Sequence, residues 1–321
     1  MQQRTLGASG LKVGAVGLGC MGMSWVYAEQ RQDTDTSIRA IRHAVELGVT
    51  LLDTADIYGP YTNETLLGRA LTGIRDDVVV ATKGGLVGQV RCEVGDVSIN
   101  VDGRPEHLRA AFDASLQRLG IDYVDLYYLH RVDPQVPLAE SWGALAELQQ
   151  AGKVRHLGLS EVSVDQLDQA HQIAPVAAVQ SELSVWTRDP LAGVLPWCQA
   201  NGAALVPFSP LGRGFLTGRF TQEHAPEPGD FRARMPRFQP EAFAQNQRIL
   251  DGVRAVANRN AVTPGQVALA WVLGQGEHVV PIPGSTRIEH IEQNAAAADL
   301  TLTTADLLEL AALPEATGTR Y

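Results

Sequence analysis

Two rhythms of apolar positions alternate along the chain. Short, largely apolar runs at residues 13–18, 50–53, 78–82, 123–129, 155–159, 177–180, 204–208 and 278–281 read as strands. Between them, apolar residues recur three and four apart, the spacing of one helix face. Residues 33–47 carry Ile38, Ile41 and Val45 and stop at Gly48; Pro105 opens a helix showing Leu108, Phe112, Leu116 and Leu119 and ended by Gly120. Similar signals predict helices over 63–71, 138–151, 163–173, 190–201, 241–259, 264–273, 286–298 and 303–310. Ser163 with Gln166, and Thr286 with Glu289, have the spacing of capping boxes. Residues 2–13 suggest a small hairpin turning at Ala8-Ser9-Gly10, whereas 84–103 and 209–240 read as irregular loops.

Eight strands, nearly all separated by helices, imply parallel pairing with right-handed crossovers, and eight such units fit a closed barrel better than an open sheet. The expected architecture is α/β: a single (β/α)8 TIM barrel over residues 1–321, with an N-terminal β-hairpin and extra C-terminal helices. A length of 321 residues suits one barrel. Gly17-Leu18-Gly19-Cys20-Met21-Gly22 matches the dinucleotide fingerprint GxGxxG, which needs a helix at once and an acidic residue about 20 positions on. Neither follows, so these glycines are expected to let the backbone pass close to a ligand.

A net charge of −10, from 26 basic and 36 acidic residues, argues against a nucleic-acid partner. No apolar stretch is long enough to span a membrane, and no leader pattern precedes the hairpin, which together suggest a cytoplasmic protein. Three cysteines without a CxxC spacing suggest reduced thiols, and no His/Cys/Asp spacing suggests a metal.

Four polar residues mark the ends of successive strands: Asp53, Tyr58 five residues beyond it, Lys83 and His130. On a barrel, the carboxyl ends of the strands share one face, so the four can converge. A phenol has a reference pKa near 10, and a neighbouring ammonium lowers it. Tyr58, Lys83 and Asp53 therefore make a coherent proton relay, and a neutral His130 can orient a carbonyl oxygen. Such a set suits protonation of an oxygen becoming an alkoxide. The matching hydride has to come from a nicotinamide cofactor.

The segments Leu52-Asp53-Thr54-Ala55-Asp56-Ile57-Tyr58-Gly59, Ala81-Thr82-Lys83 and Tyr127-Tyr128-Leu129-His130 resemble signature segments of the aldo-keto reductase superfamily, and the similarity runs over nearly the whole chain. The resemblance implies reduction of aldehydes or ketones with NADPH/NADP+, a small-molecule carbonyl substrate, Tyr58 as general acid, Lys83 and Asp53 as its tuners, and His130 as the group orienting the carbonyl. It also implies cofactor contacts: Gly19, Cys20, Met21 and Asp53 near the first strands, Ser160 and Gln180 at the carboxamide, and Phe208 on the ring. The run Ser209, Leu211, Gly212, Arg213, Gly214, Leu216 and Arg219 would lie over the pyrophosphate, with Arg213 or Arg219 pairing with phosphate. Gly284, Ser285, Thr286 and Arg287 would meet the adenosine phosphate, and Gln293 and Asn294 the adenine.

Trp25 and Trp186 are candidates for the substrate wall. Glu161 departs from the superfamily's usual Asn beside the carboxamide-binding Ser; a carboxylate cannot donate to the carboxamide oxygen. The resemblance also admits a cofactor-sensing regulatory subunit acting through a protein partner, but no added partner segment is visible and all four catalytic positions are filled.

Overall fold

The computed structural model describes residues 1–25, 34–90, 97–221, 224–227 and 230–321. The chain opens with a hairpin, β1 (Gln3–Thr5) against β2 (Lys12–Gly14), linked by a 3-10 turn at Gly7–Ser9. There follow β3 (Leu18–Gly19), α1 (Thr34–Glu46), β4 (Leu51–Asp53), α2 (Asn63–Leu71), β5 (Val79–Gly84), β6 (Leu86–Val90), β7 (Val97–Val101), α3 (Pro105–Leu119) and β8 (Val124–Leu129). The second half runs α4 (Leu138–Gln150), β9 (Val154–Ser160), α5 (Val164–Ile173), β10 (Val176–Glu182), α6 (Val194–Asn201) and β11 (Ala204–Phe208), then α7 (Pro240–Arg259), α8 (Pro264–Leu273), α9 (Ile288–Ala296) and α10 (Thr304–Ala311).

Strands β3, β4, β5, β8, β9, β10 and β11 form one parallel sheet in that spatial order. The eighth strand, expected at 278–281, is an extended segment carrying one isolated bridge, Leu205 to Val279. Its backbone still bonds on both sides. The N–H groups of Val280 and Ile282 donate to the carbonyls of Leu205 and Pro207 at 2.9 and 3.0 Å. On the other side, the N–H groups of Gly17 and Gly19 donate to the carbonyls of Pro281 and Pro283 at 2.9 and 3.3 Å. Pro281 and Pro283 have no N–H to return, which is why the ladder is incomplete. The result is a (β/α)8 barrel with an N-terminal hairpin and added C-terminal helices.

The glycines of the GxGxxG stretch find their reason at this seam. A methyl group on Gly17 would stand 2.9 Å from the Ile282 side chain, and one on Gly19 would stand 2.8 Å from the Ile282 carbonyl oxygen. They permit strand-to-strand approach, where the sequence suggested approach to a ligand. Leu6 and Val13 of the hairpin join the barrel-interior cluster of Leu51, Leu126, Val206 and Val280. The Ala8 N–H also donates to Gly202, just before β11, at 2.6 Å. The hairpin therefore plugs the amino end of the barrel, leaving the carboxyl end for chemistry.

Several expectations need correction. The run 13–18 is not one strand: β2 serves the hairpin and β3 the barrel, with the chain bending between them. The stretch 84–103 contains the antiparallel ribbon β6–β7, with Leu86 opposite Val101 and Val90 opposite Val97. Val97, Ile99 and Val101 show the period-2 alternation of a strand, which the neighbouring glycines disguised. The helix expected at 190–201 breaks into a 3-10 turn at Asp189–Ala192 and α6, because Gly193 interrupts it. The loop 209–240 contains 3-10 turns at Gly212–Thr217, Phe231–Arg234 and Pro236–Phe238. The Thr286–Glu289 capping box does not form; α9 starts at Ile288, behind an extended Arg287 whose N–H donates to Ser285 Oγ at 3.1 Å. The Ser163–Gln166 box does form. The expected start of the first helix, at residue 33, lies outside the described residues.

Gly158 in β9 gives a test of the packing. A methyl group there would sit 2.4 Å from the Tyr128 ring and 2.9 Å from the Ala178 carbonyl oxygen. Gly158→Ala should cost about 1–3 kcal/mol through overpacking, read as a lower urea midpoint. An unchanged midpoint would mean the interior can yield without cost at that point.

Candidate active site

The site is assembled at the carboxyl ends of β4, β5 and β8. Lys83 is fully buried and Asp53 nearly so. The Lys83 ammonium donates to Asp53 Oδ1 at 2.5 Å, to the Thr54 carbonyl at 2.8 Å and to the Tyr58 hydroxyl at 3.4 Å. Gln180, at the end of β10, donates to the other carboxylate oxygen of Asp53 at 2.7 Å. Every oxygen of that carboxylate is thereby answered from within the barrel.

Tyr58 reaches Lys83 because the chain turns sharply after β4. Gly59 lies in the left-handed region at φ 80, and a side chain there would meet Thr62 Oγ1 at 2.3 Å. The turn is pinned by Asn63. Its amide donates to the Cys20 carbonyl at 2.9 Å and to Ser24 Oγ at 2.7 Å, while its oxygen accepts from Thr54 Oγ1 at 2.7 Å. His130 meets Tyr58 edge-on, with ring centroids 5.9 Å apart. The four residues are thus brought together as expected.

Electrostatics adjust that picture. Burial works against the Lys83 charge, but Asp53 and Tyr58 outweigh it, and Lys83 holds its proton more tightly than a free lysine. The Tyr58 phenol is pushed above its usual value, because burial exceeds the pull of the ammonium. The expected net lowering of that pKa is therefore not found: the phenol stays protonated, and Lys83 limits the cost of losing the proton. Burial, reinforced by the charges of Lys83 and Arg131, pushes the His130 imidazole well below its usual range, so it is neutral.

The residues suggested for a cofactor fall into three groups. Gly19, Cys20 and Met21 follow β3, with the Cys20 N–H donating to the Asp53 carbonyl at 2.8 Å. Cys20 is fully buried in the core, and burial pushes its thiol up to about 12. Ser160 ends β9 and accepts from Arg131 Nη1 at 2.9 Å; Phe208 ends β11, half-buried over the interior cluster.

The loop from Ser209 through Leu211, Gly212, Arg213, Gly214, Leu216 and Arg219 has five residues at positive φ: Ser209, Gly212, Arg213, Gly214 and Gly218. Arg213 pairs with Glu182 at 3.1 Å and lies over the Tyr321 ring, so it is held by a carboxylate. Arg219 lies elsewhere: burial, then the charges of Arg232 and Arg287, weaken its hold on its proton. Burial, and then the charges of Arg287 and Arg219, push the His290 imidazole below its usual value. Arg219, Arg287 and His290 thus share one neighbourhood, beside Gly284, Ser285 and Thr286 and the α9 residues Gln293 and Asn294. Two guanidiniums in one neighbourhood, on a backbone bent by glycines, fit a phosphate-bearing dinucleotide.

The two tryptophans separate. Trp25 stands with its ring centroid 5.9 Å from that of Tyr58, in an apolar cluster with Leu86 and Val101. Trp186 is buried, stacked on Phe215 at 4.6 Å, and a methyl group on Gly212 would meet it at 2.8 Å. It supports the loop from beneath and does not stand beside Tyr58, because its apolar face finds the Phe215 and Phe238 rings first.

Glu161 stands in the sequence as a departure without a role, and Arg131 and Asp56 escape notice there. Glu161 sits at φ 55, accepts from the Glu182 N–H at 2.9 Å and pairs with Arg320 at 2.9 Å, so its carboxylate is turned toward the C-terminal segment. Arg131 looked like an ordinary loop residue, although its place directly after His130 was a signal. Asp56 is buried two residues before Tyr58 in the chain; burial, and then Glu64, push its carboxyl up to about 8.

Asp56 yields a stability prediction. An unfolded aspartate titrates near 3.9, so between roughly pH 4 and 8 the folded state holds a proton that the unfolded state lacks. Stability is lost as pH rises through that window. Asp56→Asn keeps the acceptor for the Ile57 N–H (2.6 Å in the native side chain) and removes the titration. Urea unfolding from pH 4 to 8 should show a flatter profile in the variant than in the wild type; equal slopes would assign the proton elsewhere.

Residues 15–315 match the aldo/keto reductase family. A probable aldo-keto reductase 1 from Glycine max is 42% identical, covering 100% of this chain and 92% of the relative. A glycerol dehydrogenase from Gluconobacter oxydans is 27% identical and superposes with a TM-score of 0.87, covering 96% of this chain and 94% of that one. An aldo/keto reductase from Klebsiella pneumoniae, solved with NADP and acetate, is 26% identical with a TM-score of 0.74, covering 100% of this chain and 99% of that one. With the family match extending across the barrel and the tetrad assembled at its carboxyl end, this chain belongs to the aldo/keto reductase family.

Proposed function

We propose that this oxidoreductase reduces an aldehyde or ketone to an alcohol with NADPH, and that Tyr58 supplies the proton. The observation that carries this reading is the Lys83 ammonium, buried between the Asp53 carboxylate and the Tyr58 hydroxyl. The reduced nicotinamide, when bound, supplies the hydride for the carbonyl carbon. The neutral His130 offers an N–H to the carbonyl oxygen and adds no charge of its own. As the C=O electron pair moves onto oxygen, that oxygen takes the Tyr58 proton. Lys83, 3.4 Å away, stabilises the phenolate left behind, and solvent returns the proton. Asp53, held by Gln180, keeps the ammonium in place. Trp25, Leu86 and Val101 provide an apolar wall that limits water. Ser160 and Phe208 are assigned to the nicotinamide end of the cofactor, the 209–219 loop with Arg219 to the pyrophosphate, and Ser285, Thr286 and Arg287 to the adenosine phosphate.

Tyr58→Phe should remove most NADPH oxidation with an aldehyde panel while leaving NADPH binding, followed by fluorescence, nearly intact. Near-normal turnover in that variant would take the proton-donor role from Tyr58. Wild-type protein that binds NADPH but turns over no aldehyde would favour a regulatory role for the barrel.

NADPH carries a 2′-phosphate that NADH lacks. A charge-assisted contact contributes about 1.5–3 kcal/mol, or about ten- to a hundredfold in affinity. Arg287→Ala should weaken NADPH by that factor and leave NADH nearly unchanged. Equal losses for both would place Arg287 on a part the two cofactors share.

A further inference from the structure

The tetrad accounts for its own charges. Lys83 is answered by Asp53, and His130 is neutral. Among the described residues, one cation at the site is left over. Arg131 follows His130 directly, is half-buried, and is held through a single nitrogen. Its Nη1 donates to the His130 carbonyl at 2.6 Å and to Ser160 Oγ at 2.9 Å. Among the described residues, Nε and Nη2 have no partner and no carboxylate pairs with the guanidinium. The acidic residues nearest in sequence or at the neighbouring strand end are engaged. Asp133 accepts from the N–H groups of Gly103 and Gln135 at 2.9 and 2.8 Å, and Glu161 is taken by Arg320 and the Glu182 N–H. The guanidinium lies close enough to Tyr58 and His130 for its charge to act on both.

A half-buried cation without a counter-ion, beside the proton donor and the carbonyl-orienting imidazole, is an anion-recognition element. Two free N–H edges on one planar guanidinium match a carboxylate's two oxygens. One uncompensated positive charge matches a monoanion. On a chain of net charge −10, such a local positive charge favours the approach of an anion to the pocket.

We propose that Arg131 is a substrate-binding residue that selects short carbonyl compounds ending in a carboxylate. This rests on the carbonyl-reduction reading above. Arg131 grips the carboxylate, the chain between spans to Tyr58 and His130, and Trp25 with Leu86 covers the apolar middle. Glu161 and Ser160 set the geometry: the first leaves Arg131 unneutralised by turning to Arg320, and the second holds the guanidinium in place.

The test is a matched pair of substrates, 4-oxobutanoate and its methyl ester, which present the same reacting aldehyde and differ in the charge at the far end. With NADPH saturating, the ratio of kcat/KM for acid over ester should be about ten to a hundred in the wild type. It should fall to near one in Arg131→Met and take an intermediate value in Arg131→Lys, which keeps the charge without the fork. Binding of succinate, followed by tryptophan fluorescence in the presence of NADP+, should weaken in the same order and supplies a readout independent of turnover. A variant that merely loosened the site would lower both substrates and leave the ratio where it was; that result, or a wild-type ratio near one, overturns the proposal. Wild-type reduction of the ester alone would overturn it while leaving carbonyl reduction standing. Failure to reduce either substrate or any other aldehyde would overturn both.

Discussion

A lysine ammonium with no exposure to water governs this molecule's architecture. Lys83 is kept charged by the Asp53 carboxylate, the Thr54 carbonyl and the Tyr58 hydroxyl, and each of these needs support of its own. Gln180 comes from β10 to hold Asp53, and Asn63 ties the turn that carries Tyr58 to the chain after β3. A buried ion pair of this kind contributes little to net stability and loses much if one partner goes. Its value is positional: it fixes a phenol against a charge in a place where water cannot compete.

The barrel supplies the dry setting. The hairpin closes one end with Leu6 and Val13, so polar groups can gather at the other without a path of solvent through the middle. Around the open end, a second network runs from Glu161 to Arg320 and from Glu182 to Arg213. It joins β9, β10, the glycine-rich loop and the C-terminal segment, so pieces distant in sequence form one rim. Trp186 fills the space beneath that rim with its stacked contact on Phe215.

Much of this was legible in the sequence. Asp53, Lys83 and His130 each close an apolar run, and polar residues at strand ends are visible as breaks in the pattern. The helices were legible for the same reason, with Gly48 and Gly120 marking their ends. What was not legible depends on three-dimensional neighbours. Trp186 has the composition of a pocket wall, but the rings that claim it come from far along the chain. The sign of the Tyr58 shift required knowing that burial outweighs one ammonium at 3.4 Å. The ribbon β6–β7 was hidden because glycines at 84, 85 and 88 suggested a loop, and its alternation is short. Glu161 looked like a flawed amide contact until Arg320 stood beside it.

The seam at Gly17 and Gly19 bears on how the protein is made. The first barrel strand hydrogen-bonds on one side to β4 and on the other to the carbonyls of Pro281 and Pro283. During synthesis at about 5–20 residues per second, on the order of tens of seconds separate the two halves of that joint. Through this interval β3 is an edge without its second neighbour, the kind of edge that invites pairing with other chains. Its brevity, two residues followed at once by a turn, keeps that exposed edge short until the closing segment arrives.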